Sequence, residues 1–197
     1  LVSDTDIDVI YIASPISEHY EHILLCLNNG KSVLCEKAFT VNAAQAKHAV
    51  QLARQKGLFL MEAMWTRFLP ATVKVYEWLK SGVIGEVRMI TANMGVRMEW
   101  NPDGLIFNPQ LAGGALLSIG VYHVSFASMV FGTQPANVET MAQLGQTGVD
   151  EQFTALFGYE NGRMASFTSA VSLQTNPEGY IFGTKGCIHM SKFFAPR

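Results

Sequence analysis

The stretch DVIYIASPISEHYEHILLCLNNGKSVLCE, residues 8–36, decides the fold. It opens on an almost unbroken apolar run, DVIYIAS, the mark of a central strand in a parallel sheet. Pro15 ends that run. Apolar side chains then recur at Tyr20, Ile23, Leu24 and Leu27, the spacing of one helical face. Gly30 is a natural stop for the helix, and SVLCE begins a second buried strand.

The alternation continues downstream. NAAQAKHAVQLARQKG (42–57) reads as an amphipathic helix closed by Gly57, and LFLMEAM (58–64) as a third strand. Strand, helix, strand, helix, strand in this order predicts parallel crossovers and an α/β, doubly wound sheet over residues 1–64. After Trp65 the pattern changes. PATVKVYEWLKSG (70–82) has helical spacing and ends on Gly82, and from Glu86 alternating stretches dominate. These are EVRMITANMGVRM (86–98), NVETMAQLG (137–145), FTALFGYENGRMASFTSAV (153–171) and GYIFGTKGCIHM (179–190). The Asn-Gly of YENGRM, between two such runs, is a strong hairpin signal. Residues 65–197 are therefore expected to hold a mostly antiparallel, open-faced sheet with a helix over 113–131 on one side.

Bulk properties narrow the function. With 49% hydrophobic and 15% charged residues, the chain can bury a sizeable core. A net charge of -2 gives no basic footprint for nucleic acid, and runs such as VIYIA and ILLCL are too short to cross a membrane. Three widely spaced cysteines (Cys26, Cys35 and Cys187), with no CxxC, fit reduced, buried thiols of a cytoplasmic protein rather than disulfides or a metal site. The chain starts without Met almost directly in a strand, and is expected to be an internal piece of a longer protein.

Several residues could carry chemistry. Glu36 and Lys37 follow a parallel strand's carboxyl end, where open α/β sheets bind ligands; equally they could be a solvated loop pair. Ser14 and Pro15 end the preceding strand, Ser17 could cap the following helix, and His19 is a first-turn structural residue or a base. Trp65 and Arg67 could wall a planar, charged cofactor or merely join two domains. In GGALLSIGVYH (113–123), Ser118 and Tyr122 share a helical face, as a catalytic pair or as packing.

YIASPISEH (11–19), GKSVLCEKAFT (30–40), MEAMWTRFLP (61–70), SGVIGEV (81–87) and GGALLSIGVY (113–122) occur in this order. Together they resemble the Gfo/Idh/MocA oxidoreductases, nearest the branch of dimeric dihydrodiol dehydrogenase and glucose-fructose oxidoreductase. The resemblance implies that residues 1–64 are the C-terminal part of a Rossmann domain for NAD or NADP. It implies that 65–197 are an α/β substrate and oligomerisation domain, incomplete at its C-terminus. It carries Lys37 and Tyr122 over as the catalytic pair. Ser14, Pro15, His19, Glu36, Lys37, Trp65 and Arg67 become cofactor contacts, and Ser118, Phe107 and His123 substrate contacts. Implied too are a homodimer or higher homo-oligomer through the 86–190 sheet, a small-molecule substrate such as a sugar, polyol or trans-dihydrodiol, and no metal, nucleic acid or membrane partner.

The chemistry agrees with that pair. Removing a hydroxyl proton during hydride transfer needs a base, and a phenol with a pKa of about 10 needs a nearby ammonium to bring it down. Three positions depart from the family's pattern: Ser118 stands for Asp, Ala38 for Pro and Leu105 for Arg. Ala38 leads to the expectation of a trans Lys37–Ala38 bond. The altered positions also leave room for a non-catalytic, ligand-binding relative or a purely structural oligomerisation domain. The GxGxxG turn and ribose selector of such domains do not occur in the sequence.

Overall fold

The computed structural model describes residues 1–132 and 134–196. Three parallel strands, β1 (Val9–Ile12), β2 (Ser32–Cys35) and β3 (Leu60–Glu62), form a sheet in the order β1-β2-β3. The crossovers are α1 (Ile16–Asn28) and α2 (Ala43–Lys56). Register places Ile10 beside Val33 and Ile12 beside Cys35, so these side chains share a face. That face packs on Ile23, Cys26 and Leu27 of α1 and on Ala49 and Ala53 of α2. Both helices join one core, so the described sheet is wound on one side. Val9 and Tyr11 on the other face are 52% and 56% exposed. Among the described residues β1 pairs with β2 alone.

Helix ends follow their sequence signals with one exception. Asn42 caps α2, its side chain accepting the Gln45 N–H at 3.0 Å, and Gly57 closes it at a φ of 65° that other residues rarely adopt. Pro15, not Ser17, occupies the cap of α1; Ser17 lies inside the helix with its hydroxyl buried and unpaired.

A short 3₁₀ turn (Trp65–Phe68) leads into α3 (Pro70–Ser81). The second sheet contains β4 (Val87–Gly95), β5 (Asn137–Leu144), β6 (Asp150–Gly158), β7 (Met164–Ala170), β8 (Glu178–Gly183) and β9 (Gly186–Ser191). Its order is β5-β6-β7-β4-β8-β9; every neighbouring pair is antiparallel except β4 with β7. The YENGRM turn joins β6 to β7, with Asn161 at φ 62° and Gly162 at φ 70°.

Helix α4 (Val121–Phe131) covers one face of this sheet. Phe126, Ala127 and Phe131 pack on Ile90, Phe153, Phe167 and Ile181. Gly120 permits the close approach: a Cβ there would lie 2.7 Å from the Phe153 ring. Opposite, Met141, Leu156 and Met164 stand exposed, Met141 at 81%. The stretch Pro109–Phe131, apart from the short runs above, has the length and composition of a membrane span. Here it is broken into a 3₁₀ turn, a π-helical turn (Leu116–Gly120) and α4, and much of it is buried on the sheet.

Candidate functional site

A cleft of about 390 Å³ opens where the C-terminal ends of β1 and β2 face the start of α4. On the parallel-sheet side it is lined by Ala13, Ser14, Pro15, Ile16, His19, Glu36 and Lys37. Across from them lie Met94, Val96, Met98, Leu105, Ile106, Leu111, Ser118, Ile119 and Tyr122. Loops beyond strand carboxyl ends are where an α/β sheet leaves backbone groups free for a ligand.

Lys37 reaches across this cleft. Its ammonium donates to the Ser118 carbonyl at 2.8 Å and sits 4.7 Å from the centre of the Tyr122 ring. It is not a solvated partner of Glu36. That carboxylate accepts from the Tyr11 hydroxyl and, at 3.1 Å, from the Lys37 backbone N–H. Burial draws the Lys37 pKa below its ordinary value, against the opposing pull of Glu36 and Glu62.

Tyr122 receives a hydrogen bond from the Trp65 indole N–H at 3.3 Å, with the two rings edge to face. Burial raises its phenol pKa above 10.0, and the Trp65 bond only partly offsets this. The expectation that Lys37 lowers the phenol is therefore not met. The ammonium lies over the ring, where it is attracted to the π face, rather than beside the oxygen. Trp65 and Arg67 do not line the cleft. Arg67 instead grips α4, donating to the Ser125 hydroxyl at 3.0 Å and the Ser125 carbonyl at 3.1 Å.

The Gly-Gly turn serves the approach of other chain segments. A Cβ on Gly113 would meet the Ile106 carbonyl oxygen at 2.5 Å, and one on Gly114, at φ 111°, would collide with the Asp150 carboxylate. Asp150 arrives from the start of β6 and accepts the Leu116 N–H at 2.7 Å, capping the helical segment from outside. No local signal announces it. The π-helical turn that follows carries Ser118, which lines the cleft and presents its carbonyl to Lys37.

Two expected substrate contacts lie elsewhere. Phe107 is buried in the second core, its ring tilted by 58° against that of the exposed Trp100 at 4.8 Å. His123 is fully buried against Phe167 and Phe193, with Nδ1 3.0 Å from the Ser169 hydroxyl. Burial lowers its pKa to about 3, so the ring is neutral. One residue along a helix turns a side chain by about 100°, which takes His123 from the cleft into the core. The Lys37–Ala38 bond is cis, correcting the expected trans form. Cys26 and Cys35 are buried, the Cys35 thiol pushed up to about 12, whereas Cys187 is exposed on β9.

Sequence reasoning did not find Met94, Val96 and Met98, although their alternation through and past the end of β4 puts them on one face. It also missed that His19 bonds two backbone carbonyls.

A parallel strand–helix unit facing a half-covered sheet across a lysine–tyrosine cleft defines the two-domain α/β oxidoreductase class. The description "Oxidoreductase family, NAD-binding Rossmann fold" matches residues 1–64, and "GFO/IDH/MocA C-terminal domain" matches residues 72–189. The chain belongs to the GFO/IDH/MocA oxidoreductase family. It is 41% identical over 197 residues to trans-1,2-dihydrobenzene-1,2-diol dehydrogenase of Mus musculus, covering all of this chain and 59% of that protein. A 3-ketoreductase from Actinomadura kijaniata, in complex with NADP and TDP-benzene, superposes at TM-score 0.87 with 30% identity. That match covers 99% of this chain and 60% of the other. An aldose-aldose oxidoreductase from Caulobacter crescentus shares the fold at TM-score 0.92, 24% identity and 98% and 59% coverage. The chain thus spans about three-fifths of the length of the relatives it matches.

Proposed function

We propose that the whole protein carrying this chain is an NAD(P)-dependent dehydrogenase or reductase of a small diol-, polyol- or sugar-like alcohol/carbonyl pair. One observation carries the reading: Lys37, just after β2, and Tyr122, on α4, meet across one cleft. The names of the relatives support it.

The residues present fit the nicotinamide end of such a cofactor. The N-terminus of α1 has no side-chain cap, and Ser14, Pro15 and Ile16 at that end line the cleft. Glu36 offers further acceptor capacity, and the cleft lies at the strand ends. The cofactor, when bound, supplies or takes the hydride. Tyr122, whose buried phenol keeps its proton near neutral pH, gives that proton to the carbonyl oxygen during reduction, and only as the phenolate takes the hydroxyl proton in the reverse direction. Lys37, with three protons of which Ser118 accepts one, steadies the substrate oxygen as charge develops on it. Met94, Val96, Met98 and Leu105 give the opposite wall an apolar surface, which favours a substrate with an apolar ring face over an open polyol. With NAD and NADP and a panel of cyclic trans-diols, Tyr122→Phe should cut turnover by about 10²–10⁴-fold. Unchanged turnover would remove Tyr122 from the chemistry, and cofactor binding without any turnover would favour the non-catalytic reading.

We further propose a homo-oligomer through the open face of the six-stranded sheet. Met141, Leu156 and Met164 lie exposed there, and such a patch is stabilised by a second copy. Light scattering at micromolar concentration tests it; a monomer contradicts it.

A further inference from the structure

His19 is 1% exposed in the first turn of α1, and both ring nitrogens have partners. Nδ1 lies 2.9 Å from the Ala38 carbonyl oxygen, and Nε2 lies 2.9 Å from the Ser14 carbonyl oxygen. Carbonyl oxygens only accept. A neutral imidazole has one N–H and one lone pair, so it would aim that lone pair at a carbonyl with no water to intervene. Only a ring with a proton on each nitrogen satisfies both contacts.

The surroundings suit a cation. On β3, the half-buried Glu62 carboxylate accepts the Phe39 N–H at 2.9 Å through Oε1, and burial raises its pKa against the downward pull of Arg67 and Lys37. At the end of β2 stand Glu36 and Lys37 beside the same cleft. On α1 itself, His22 bonds the Ser14 hydroxyl at 2.9 Å. Arg67 is committed to Ser125.

We propose that His19 is a doubly donating latch, a positioning residue that ties the segment just after Lys37 to the end of β1 and so sets the reach of the Lys37 ammonium. The ring holds two loops that carry cleft residues, Ser14 on one and Lys37 on the other. With one proton it holds only one of them. The effect on Lys37 rests on the function proposed above; the protonation of the ring does not.

Nitrogen-15 NMR of the whole protein with labelled histidine, at pH 7, tests the latch without any turnover. We expect one buried histidine with N–H signals at both ring nitrogens, assigned by their loss in His19→Gln. A His19 nitrogen without a proton overturns the proposal. Kinetics test the positioning. His19→Phe keeps a flat aromatic ring, slightly larger than imidazole, and removes both donors, and kcat per folded molecule should fall by roughly 10- to 100-fold. His19→Gln, whose amide nitrogen donates twice, should recover part of that loss. An unchanged kcat in folded His19→Phe overturns the positioning role. If that variant does not fold, the NMR result and the kcat of His19→Gln decide.

Discussion

The two sheets contribute opposite things to one cleft. The small parallel sheet brings polar and charged groups: the ions Lys37 and Glu36 sit at the end of β2, and the imidazole of His19 on its first helix. The six-stranded sheet and α4 bring Tyr122 and an apolar wall. A parallel sheet ends in loops whose backbone groups attract polar side chains. The larger sheet buries one face under a helix, so its side chains reach the cleft as apolar residues such as Met94. The reaction surface therefore exists only where the two meet.

The sharpest way to break this division of labour is to remove the charge. Lys37→Ala should lower kcat by about 10²–10³-fold, the usual cost of losing one well-placed donor to a developing negative charge. Steady-state kinetics that show only a raised KM would mean that Lys37 binds substrate without acting on the transition state.

The apolar side predicts a loss of stability. Phe167 lies 2% exposed on β7, packed against His123 of α4, and Phe167→Ala should cost about 3–5 kcal/mol in denaturant unfolding. On the opposite face of the same sheet, Leu156→Ser should stay within about 0.5 kcal/mol in a monomer. A large effect there would show that the open face is covered by a partner.

Trp65 tests how the two halves are tied. Its indole bond lowers the Tyr122 pKa while burial raises it. Trp65→Phe removes the lowering contact, so the basic limb of the kcat/KM profile should move to higher pH. A shift to lower pH, or none, would mean that this bond does not reach the proton that matters.

The smallest expected effect concerns Asp150, which burial raises above its ordinary 3.8 despite accepting the Leu116 N–H. A carboxyl raised on folding holds its proton more tightly in the folded chain. Its contribution to stability is present below the unfolded value and is lost as pH rises through the folded one. Asp150→Asn should remove that slope from an acid-range stability curve, while leaving helix capping largely in place.

Period and punctuation were legible in the sequence. The apolar run at 8–14, the helical spacing from Tyr20 to Leu27, the stops at Gly30, Gly57 and Gly82, and the Asn-Gly turn all act within a few residues. Local sterics and side-chain spacing suffice to write them. Lys37 and Tyr122 stood out for the same reason, as chemically able residues in strand-end and helix positions and at matching points of a family pattern. Only the tertiary structure decided what depends on residues far apart in the chain. It made β4 a parallel neighbour of β7. It set Asp150 on the end of the segment carrying Ser118, and sent Phe107 and His123 into the core instead of the cleft. It also laid the Lys37 ammonium over the Tyr122 ring rather than at its oxygen. In each case the governing free energy is that of burying a group among distant neighbours, and spacing along the chain does not record which neighbours those are.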